Sequence, residues 1–241
     1  MKFSRQGSWS RLAPALLVGL TPIALPATGA VSRITTHFRA TFNDLQGDSA
    51  GLTSLVAEVG QFDTTDPDVF QIETNVLGNG VLVVEDVGTN VESVLRCQFD
   101  PPVSGAPKIN ASIQVTPETA DGQLDIRASD DGDTPMIDVG WARGGDITVN
   151  GLPVMTYEPG TTYVVTWNIN DPFMGPTMLS TKIEGSNGSN VEVTSVLGYQ
   201  AVHLGALDII VPSSGSWGAF EIDEIRVVSG SSPLQALGVS F

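Results

Sequence analysis

Short β-rich runs, separated by turn-forming residues, recur along this 241-residue chain and constrain its fold more than any other feature. About a dozen of them follow one another after residue 68, bounded by Gly, Pro, Asn and Asp. In INASIQVT (109–116), the apolar side chains of Ile109, Ala111, Ile113 and Val115 alternate with other residues and therefore share one face of a strand. Such alternation predicts antiparallel sheets with one face buried and one face in water.

The residues between the runs agree with this interpretation. Asn150-Gly151 is the strongest short signal for a β-hairpin, and EPGTT (158–162) and GSNGSN (185–190) are further turns. Only AGLTSLVAEVG (50–60) has helical spacing of apolar residues, and a pair of strands fits it nearly as well. About a dozen strands in one chain predict an all-β, two-sheet antiparallel β-sandwich.

The first 30 residues have the pattern of a cleaved secretory signal peptide. Lys2, Arg5 and Arg11 precede a short apolar run, which three prolines interrupt and small residues follow. That run is too short for a membrane-spanning helix, which needs about 20 apolar residues. We therefore expect a secreted, periplasmic or extracellular protein with no membrane span. Residues 31–229 would form one sandwich domain, and 230–241 a C-terminal tail.

The chain is strongly acidic, with a formal net charge of −16. Loss of the basic signal peptide makes the remainder still more negative. Such a surface repels nucleic acid and anionic polysaccharides, so we expect no nucleic-acid partner. Cys97 is the single cysteine, which excludes an intramolecular disulfide and favours a buried, apolar role for its side chain.

Three segments carry a resemblance to a known superfamily: FRATFNDLQG near the N-terminus, YEPGTTYVVTWNIN in the middle and FEIDEIRVV at the C-terminus. Together they resemble the concanavalin A-like lectin/glucanase jelly rolls, including laminin-G-like domains. The resemblance implies a jelly-roll sandwich. It leaves function open, because the superfamily contains lectins, glycosidases, lyases and proteins without a known role.

FEIDEIRVV (220–228) contains three carboxylates in four residues, which raises the possibility of catalytic acids. Laminarinase-type members of the superfamily use Glu-x-Asp-x-Glu, with three carboxyls on one face of a strand. Glu221 and Asp223 match the first two places, but the third is Ile225, or Arg226 if the strand is bulged. The apolar phase changes between Ile222 and Ile225, which predicts a β-bulge at 223–224 and a non-catalytic strand.

In related carbohydrate modules, an Asp at the position of Asp223 helps to bind a structural calcium ion. The resemblance therefore implies a calcium site at Asp223, to which Asn43 and Asp44 would add oxygen ligands. The alternative is a solvated bulge without metal. A second acidic segment, SDDGDTP (129–135), has the composition of a calcium loop but lacks the full EF-hand pattern, and an ordinary turn is the simpler interpretation.

Three aromatic residues are candidates for contacting a sugar ring: Trp141, Tyr199 and Trp217. Each lies beside a glycine near a predicted strand end, where binding loops concentrate. Trp167 lies mid-strand and is predicted to belong to the core. His37 and His203 are the only histidines, and neither belongs to a recognisable catalytic motif.

We therefore expect a secreted, non-catalytic β-sandwich that serves as a glycan-binding or surface-interaction module, with or without structural calcium. Its expected partner is a carbohydrate or a cell-surface glycan. The sequence leaves two alternatives open. One is a glycoside hydrolase or polysaccharide lyase of the same superfamily, although the Tyr-x-Lys and Gln-x-His patterns of its lyases are absent. The other is a structural envelope or matrix protein.

Overall fold

The computed structural model describes residues 34–42, 57–64, 68–74, 79–86, 91–103, 108–170, 176–197, 204–213 and 217–230. These residues form strands, turns and connecting segments without a helix, so none of them belongs to a helix that could cross a membrane. The segments predicted as signal peptide (1–30) and tail lie outside this part of the chain, apart from Gly230.

Fifteen strands follow one another in the described chain. They are β1 (Thr35–Ala40), β2 (Gln61–Thr64), β3 (Phe70–Thr74), β4 (Gly80–Asp86), β5 (Ser93–Gln98), β6 (Lys108–Pro117), β7 (Leu124–Asp130), β8 (Pro135–Ala142), β9 (Asp146–Val149), β10 (Leu152–Thr156), β11 (Tyr163–Asn170), β12 (Met178–Gly185), β13 (Asn190–Val196), β14 (Leu204–Val211) and β15 (Gly218–Ser229).

The strands form two antiparallel sheets, as the sequence predicts. Sheet A has the order β13-β12-β11-β6-β15-β4-β3, with β1 also paired to β15. Sheet B has the order β10-β9-β8-β7-β14-β5-β2. Many neighbours are far apart in sequence, so the chain passes repeatedly from one sheet to the other and encloses the core between them.

The alternation seen in the sequence decides which side chains enter that core. In β6, Ile109, Ala111, Ile113 and Val115 are all buried, and the residues between them are half-buried on the outer face of sheet A. Trp167 is fully buried, which confirms its predicted core position. Each fully buried large side chain contributes about 1.5–3 kcal/mol, so this interior supplies the stability that no disulfide can provide.

The predicted hairpin and bulge are both present. Asn150 and Gly151 join β9 to β10 with φ values of 51° and 74°, a left-handed pair that suits the twist of a two-residue hairpin. In β15, Ile222 lies opposite Val115 while Ile225 lies opposite Ile113, so β15 has one more residue than β6 between these pairs. The bulge returns Ile225 to the core side together with Ile222, and both are fully buried.

Two strands were missing from the sequence interpretation. In β1, the register against β15 shifts between Thr36 and Phe38, which disrupts its alternation, and β2 has only four residues. The segment with helical spacing (50–60) lies largely outside the described residues. At its end, Val59 forms a β-bridge with Arg39, which agrees with the strand alternative there.

Candidate functional site

A row of alternating charges crosses the outer face of sheet B. Asp63 of β2, Arg96 of β5, Asp208 of β14, Arg127 of β7 and Asp138 of β8 lie directly opposite one another in successive strands. Opposite residues of antiparallel strands project from the same face. We call these five residues the charge row.

The strongest ion pair in the charge row joins Arg96 to Asp208. Arg96 Nε and Nη2 donate to the two carboxylate oxygens of Asp208 at 2.8 and 3.0 Å. Asp208 is only 5% exposed, so a planar two-point contact compensates its loss of water. The hydrogen bonds to Asp208 raise the pKa of Arg96, and its guanidinium is held in a fixed orientation.

The other edge of the Arg96 guanidinium contacts the turn between β7 and β8. Its Nη1 lies 2.9 Å from Asp133 Oδ1, and the Asp133 side chain is 69% exposed. The turn is held by Asp130, whose Oδ1 accepts hydrogen bonds from the backbone N–H groups of Gly132 and Thr134. The segment 129–135 therefore forms an ordinary turn in which the Asp130 carboxylate satisfies backbone donors, as the simpler interpretation predicts.

A cavity of about 470 Å³ opens beside this contact. Its lining combines charged and apolar groups from three places: the end of β5 with the segment after it, the β7–β8 turn and the start of β14. The lining residues are Arg96, Gln98, Phe99, Pro102, Val103, Asp130, Asp131, Asp133, Leu204, Gly205 and Ala206. Its size is within the range of small-ligand pockets, about 300–1,000 Å³.

A further carboxyl group, that of Asp125, lies beside the charge row. Asp125 projects from β7 on the same face, two residues before Arg127 and opposite Gly140 of β8. Burial, together with the negative charges of Asp138 and Glu92, raises the pKa of Asp125 to about 6, against a smaller opposing effect of Arg127. The Asp125 carboxyl has no hydrogen-bond partner among the described residues, although its backbone belongs to the β7 ladder.

The aromatic candidates occupy different environments. Trp141 is fully buried, so the prediction that its ring faces a ligand is wrong. Position 141 belongs to the buried phase of β8, and the neighbouring glycine, Gly140, faces outward on sheet B. Trp217 is 68% exposed and immediately precedes β15, which leaves its ring free to contact a partner. Tyr199 lies outside the described residues.

The predicted calcium ligands are only partly described. Asp223 lies at the bulge of β15, is exposed and has no hydrogen-bond or ion-pair partner among the described residues. Partial removal of the Asp223 carboxyl from water raises its pKa. Asn43 and Asp44 lie outside the described residues. Within the described part of the chain, no group of three or more His, Cys, Asp or Glu side chains is arranged to hold a metal ion.

Glu221 lies on the outer face of sheet A, between Val83 and Thr116 of the neighbouring strands. Burial and the nearby charges of Glu118, Asp223 and Glu73 raise its pKa. The bulge follows immediately, and Glu224 instead accepts a hydrogen bond from Gln114 at 3.3 Å. The regular three-carboxyl array of a laminarinase-type strand is therefore not formed.

His37 and Cys97 have structural roles, and His203 lies outside the described residues. His37 is buried, and its ring nitrogens are each 2.7 Å from a partner, Pro101 O and Ser229 Oγ. This arrangement ties β1 to β15 and to the segment after β5. Cys97 is fully buried, and burial raises the pKa of its thiol, which agrees with the predicted apolar role.

Comparisons with solved structures identify the fold. The marine PL-14 alginate lyase from Aplysia kurodai matches with a TM-score of 0.59 and 10% identity, covering 81% of this chain and 99% of that one. The alginate lyase Aly36B matches with a TM-score of 0.53 and 13% identity, covering 81% and 97%. A sialidase matches with a TM-score of 0.51 and 12% identity over 69% of this chain, which spans only 16% of the sialidase.

The chain therefore has the concanavalin A-like jelly-roll fold, as the sequence resemblance predicted. A scan against protein-family models matches none, and a search of curated proteins finds no match. Identities this low establish the fold and leave the function to be argued from the site.

The sequence analysis missed the charge row and the cavity. Alternation in SVLRCQF places Arg96 on the outer face of a strand, but Asp208 is 112 residues away in sequence. The cluster at Asp130 to Asp133 was interpreted as an ordinary turn, with a calcium loop as the alternative, and its contact with Arg96 was not predicted. A charged residue placed on an otherwise apolar alternating strand, as Arg96 and Asp208 both are, was the available signal.

Proposed function

We propose that the protein is a non-catalytic carbohydrate-binding module whose binding surface is the outer face of sheet B. One observation carries this proposal: the cavity beside the Arg96–Asp133 contact combines fixed charged groups with apolar lining residues. Sugars present both hydroxyl groups and apolar C–H faces, so they require this combination. The shared fold with proteins named as alginate lyases and a sialidase supports a carbohydrate ligand.

The charge distribution favours a neutral glycan over an anionic one. The whole chain has a net charge of −16, and Asp208 and Asp138 already compensate Arg96 and Arg127. An acidic polysaccharide approaching this face would meet uncompensated carboxylates at the β7–β8 turn. The same repulsion disfavours both the binding of an acidic polymer and its cleavage by a lyase reaction.

Binding to an array of neutral and acidic glycans tests the proposal. Two exposed glutamines on opposite faces of the sandwich give a matched pair of blocking variants, Gln98→Trp beside the cavity and Gln71→Trp on sheet A. We expect Gln98→Trp to weaken glycan binding at least tenfold and Gln71→Trp to leave it unchanged. Absence of binding to any glycan would refute the proposal and favour the structural alternative.

A second candidate function, glycoside hydrolysis, rests on Asp125. A carboxyl group with a pKa of about 6 can donate a proton to a glycosidic oxygen, and the Asp138 carboxylate lies on the same face of sheet B, paired with Arg127 at 3.3 Å. In that reaction the bond between C1 and the leaving oxygen breaks, and water supplies the hydroxyl group on C1. The Asp138 carboxylate would take the proton lost by that water.

Release of reducing ends from neutral polysaccharides tests this candidate. Asp125→Asn should abolish the activity and leave binding intact, while Asp121→Asn, in the exposed segment before β7, serves as control. Activity that survives in Asp125→Asn would exclude Asp125 as the acid.

We also propose that calcium binds at the β15 bulge, through Asp223 with Asn43 and Asp44. The exposed, unpaired carboxylate of Asp223 and the oxygen-rich set of side chains suit calcium, which takes six to eight oxygen ligands. Bound calcium would join the N-terminal segment to the bulge. Melting temperatures measured with calcium and with a chelator test the site, and identical values would exclude it.

A further inference from the structure

We propose that the cavity beside β5 recognises a neutral sugar through two neighbouring hydroxyl groups, one bound by Arg96 and the other by Asp133. This inference rests on the proposed function and names the ligand class and the contacts. The inference follows from the position of the Arg96 guanidinium, which contacts the buried carboxylate of Asp208 on one side and the exposed carboxylate of Asp133 on the other.

The first step concerns the fixed half of the arrangement. Asp208 binds Arg96 through Nε and Nη2, and since Asp208 is 5% exposed, this pair cannot rearrange without burying unpaired charge. Nη1 is therefore the guanidinium nitrogen that Asp208 does not bind, and Arg96 lines the cavity. A donor held in one orientation binds a ligand at low entropic cost.

The second step concerns the exchangeable half. Asp133 contacts Arg96 Nη1 at 2.9 Å from an exposed position, where water screens an ion pair and leaves it only weakly stabilising. Its backbone is fixed, because its N–H donates to Asp130 O at 3.1 Å and the turn is bonded internally. A small ligand can enter between Arg96 and Asp133 with little loss of stabilising energy, because water already competes for this exposed ion pair.

The third step identifies the ligand. A hydroxyl group both donates and accepts, so two adjacent hydroxyls can accept from Arg96 Nη1 and donate to Asp133 together. A carboxylate on the ligand would satisfy Arg96 but meet repulsion from Asp133 and Asp131. An ammonium group would satisfy Asp133 but be repelled by Arg96. Among the apolar lining residues, Pro102 is exposed and Phe99 is 9% exposed, and together they offer a small apolar surface to the C–H face of the ring.

Calorimetric titration of neutral, amino and acidic monosaccharides and their short oligomers tests the inference. Asp133→Ala removes an exposed ion pair, and its melting temperature should lie within a few degrees of that of the wild type. We expect it to weaken binding of neutral sugars at least tenfold, while Asp121→Asn, at the opposite end of β7, leaves affinity unchanged.

The other outcomes separate the inference from the proposed function. If the wild type binds neutral sugars and Asp133→Ala binds them equally well, the hydroxyl contact is wrong but glycan binding stands. If Asp133→Ala instead binds an acidic sugar more tightly than the wild type does, Asp133 is a competitor for Arg96 and the ligand is an anion. If the wild type binds none of these sugars, both proposals fail.

Discussion

Asp125 occupies the space that a side chain at Gly140 would fill. The two residues lie opposite each other in β7 and β8, and a Cβ atom on Gly140 would collide with Asp125 Oδ1. The Asp125 carboxyl therefore extends over Gly140 of β8 toward Thr148 of β9. This position partly removes it from water and accounts for the largest cause of its raised pKa, burial.

The stability of the fold should depend on pH through Asp125. Its pKa is 3.8 in the unfolded chain and about 6 in the folded one, so the folded state binds more protons between these values. Stability contributed by this group is complete below pH 3.8 and is lost as the pH rises through 6. We expect Asp125→Asn to be more stable than the wild type by roughly 1–2 kcal/mol at pH 8, after allowance for solvent screening, and equally stable at pH 3.5.

Denaturant unfolding of both proteins at the two pH values measures this difference. Gly140→Ala is a useful companion, because its methyl group pushes the Asp125 carboxyl toward water and should return its pKa toward 3.8 in an NMR titration. An equal stability difference at both pH values would show that the carboxyl does not titrate as described.

The two carboxylates on Arg96 should differ sharply in their contribution to folding. Asp208→Ala leaves part of the guanidinium buried without its partner, which should cost roughly 2–4 kcal/mol. Asp133→Ala removes an exposed ion pair and should cost about 0–1 kcal/mol. Thermal and urea unfolding of the two variants decide the matter, and similar losses would mean that Arg96 is not anchored on the Asp208 side.

Alternation within a strand was enough to predict most of the fold. Apolar residues alternate in Ile109 to Val115 and in Phe220 to Val227, as the buried face of a sheet requires. The change of phase between Ile222 and Ile225 also predicted the position of the bulge. β1 and β2 were not predicted, because β1 has an interrupted register against β15 and β2 is only four residues long.

The site was far less predictable, because it depends on which strands become neighbours. Arg96 and Asp208 meet only since β5 and β14 pair in sheet B, and nothing local in either segment specifies that pairing. Trp141 was misjudged for a related reason. Its neighbour Gly140 suggested an exposed strand end, whereas that glycine makes room for Asp125 from the adjacent strand.

The extra residue in β15 should be essential for folding. Deleting Glu224 makes the strand regular and turns Ile225 and Val227, both fully buried, to the outer face of sheet A. Loss of their burial should cost roughly 3–6 kcal/mol. Glu224→Ala keeps the residue count and should cost less than about 1 kcal/mol. The yield of soluble protein and the unfolding curves of the two variants measure the effect, and a deletion variant as stable as Glu224→Ala would disprove the role of the bulge.

The two tryptophans next to glycines should separate stability from binding. Trp141 is fully buried in the sandwich, so Trp141→Ala should cost roughly 3–5 kcal/mol. Trp217 is 68% exposed, and Trp217→Ala should change stability by no more than about 0.5 kcal/mol. If the Trp217 ring stacks on a sugar, the same variant should bind glycans more weakly than the wild type, and its fluorescence should be the signal that a bound sugar perturbs. Unaltered affinity in Trp217→Ala would remove this residue from the binding surface and leave the cavity beside Arg96 to account for recognition.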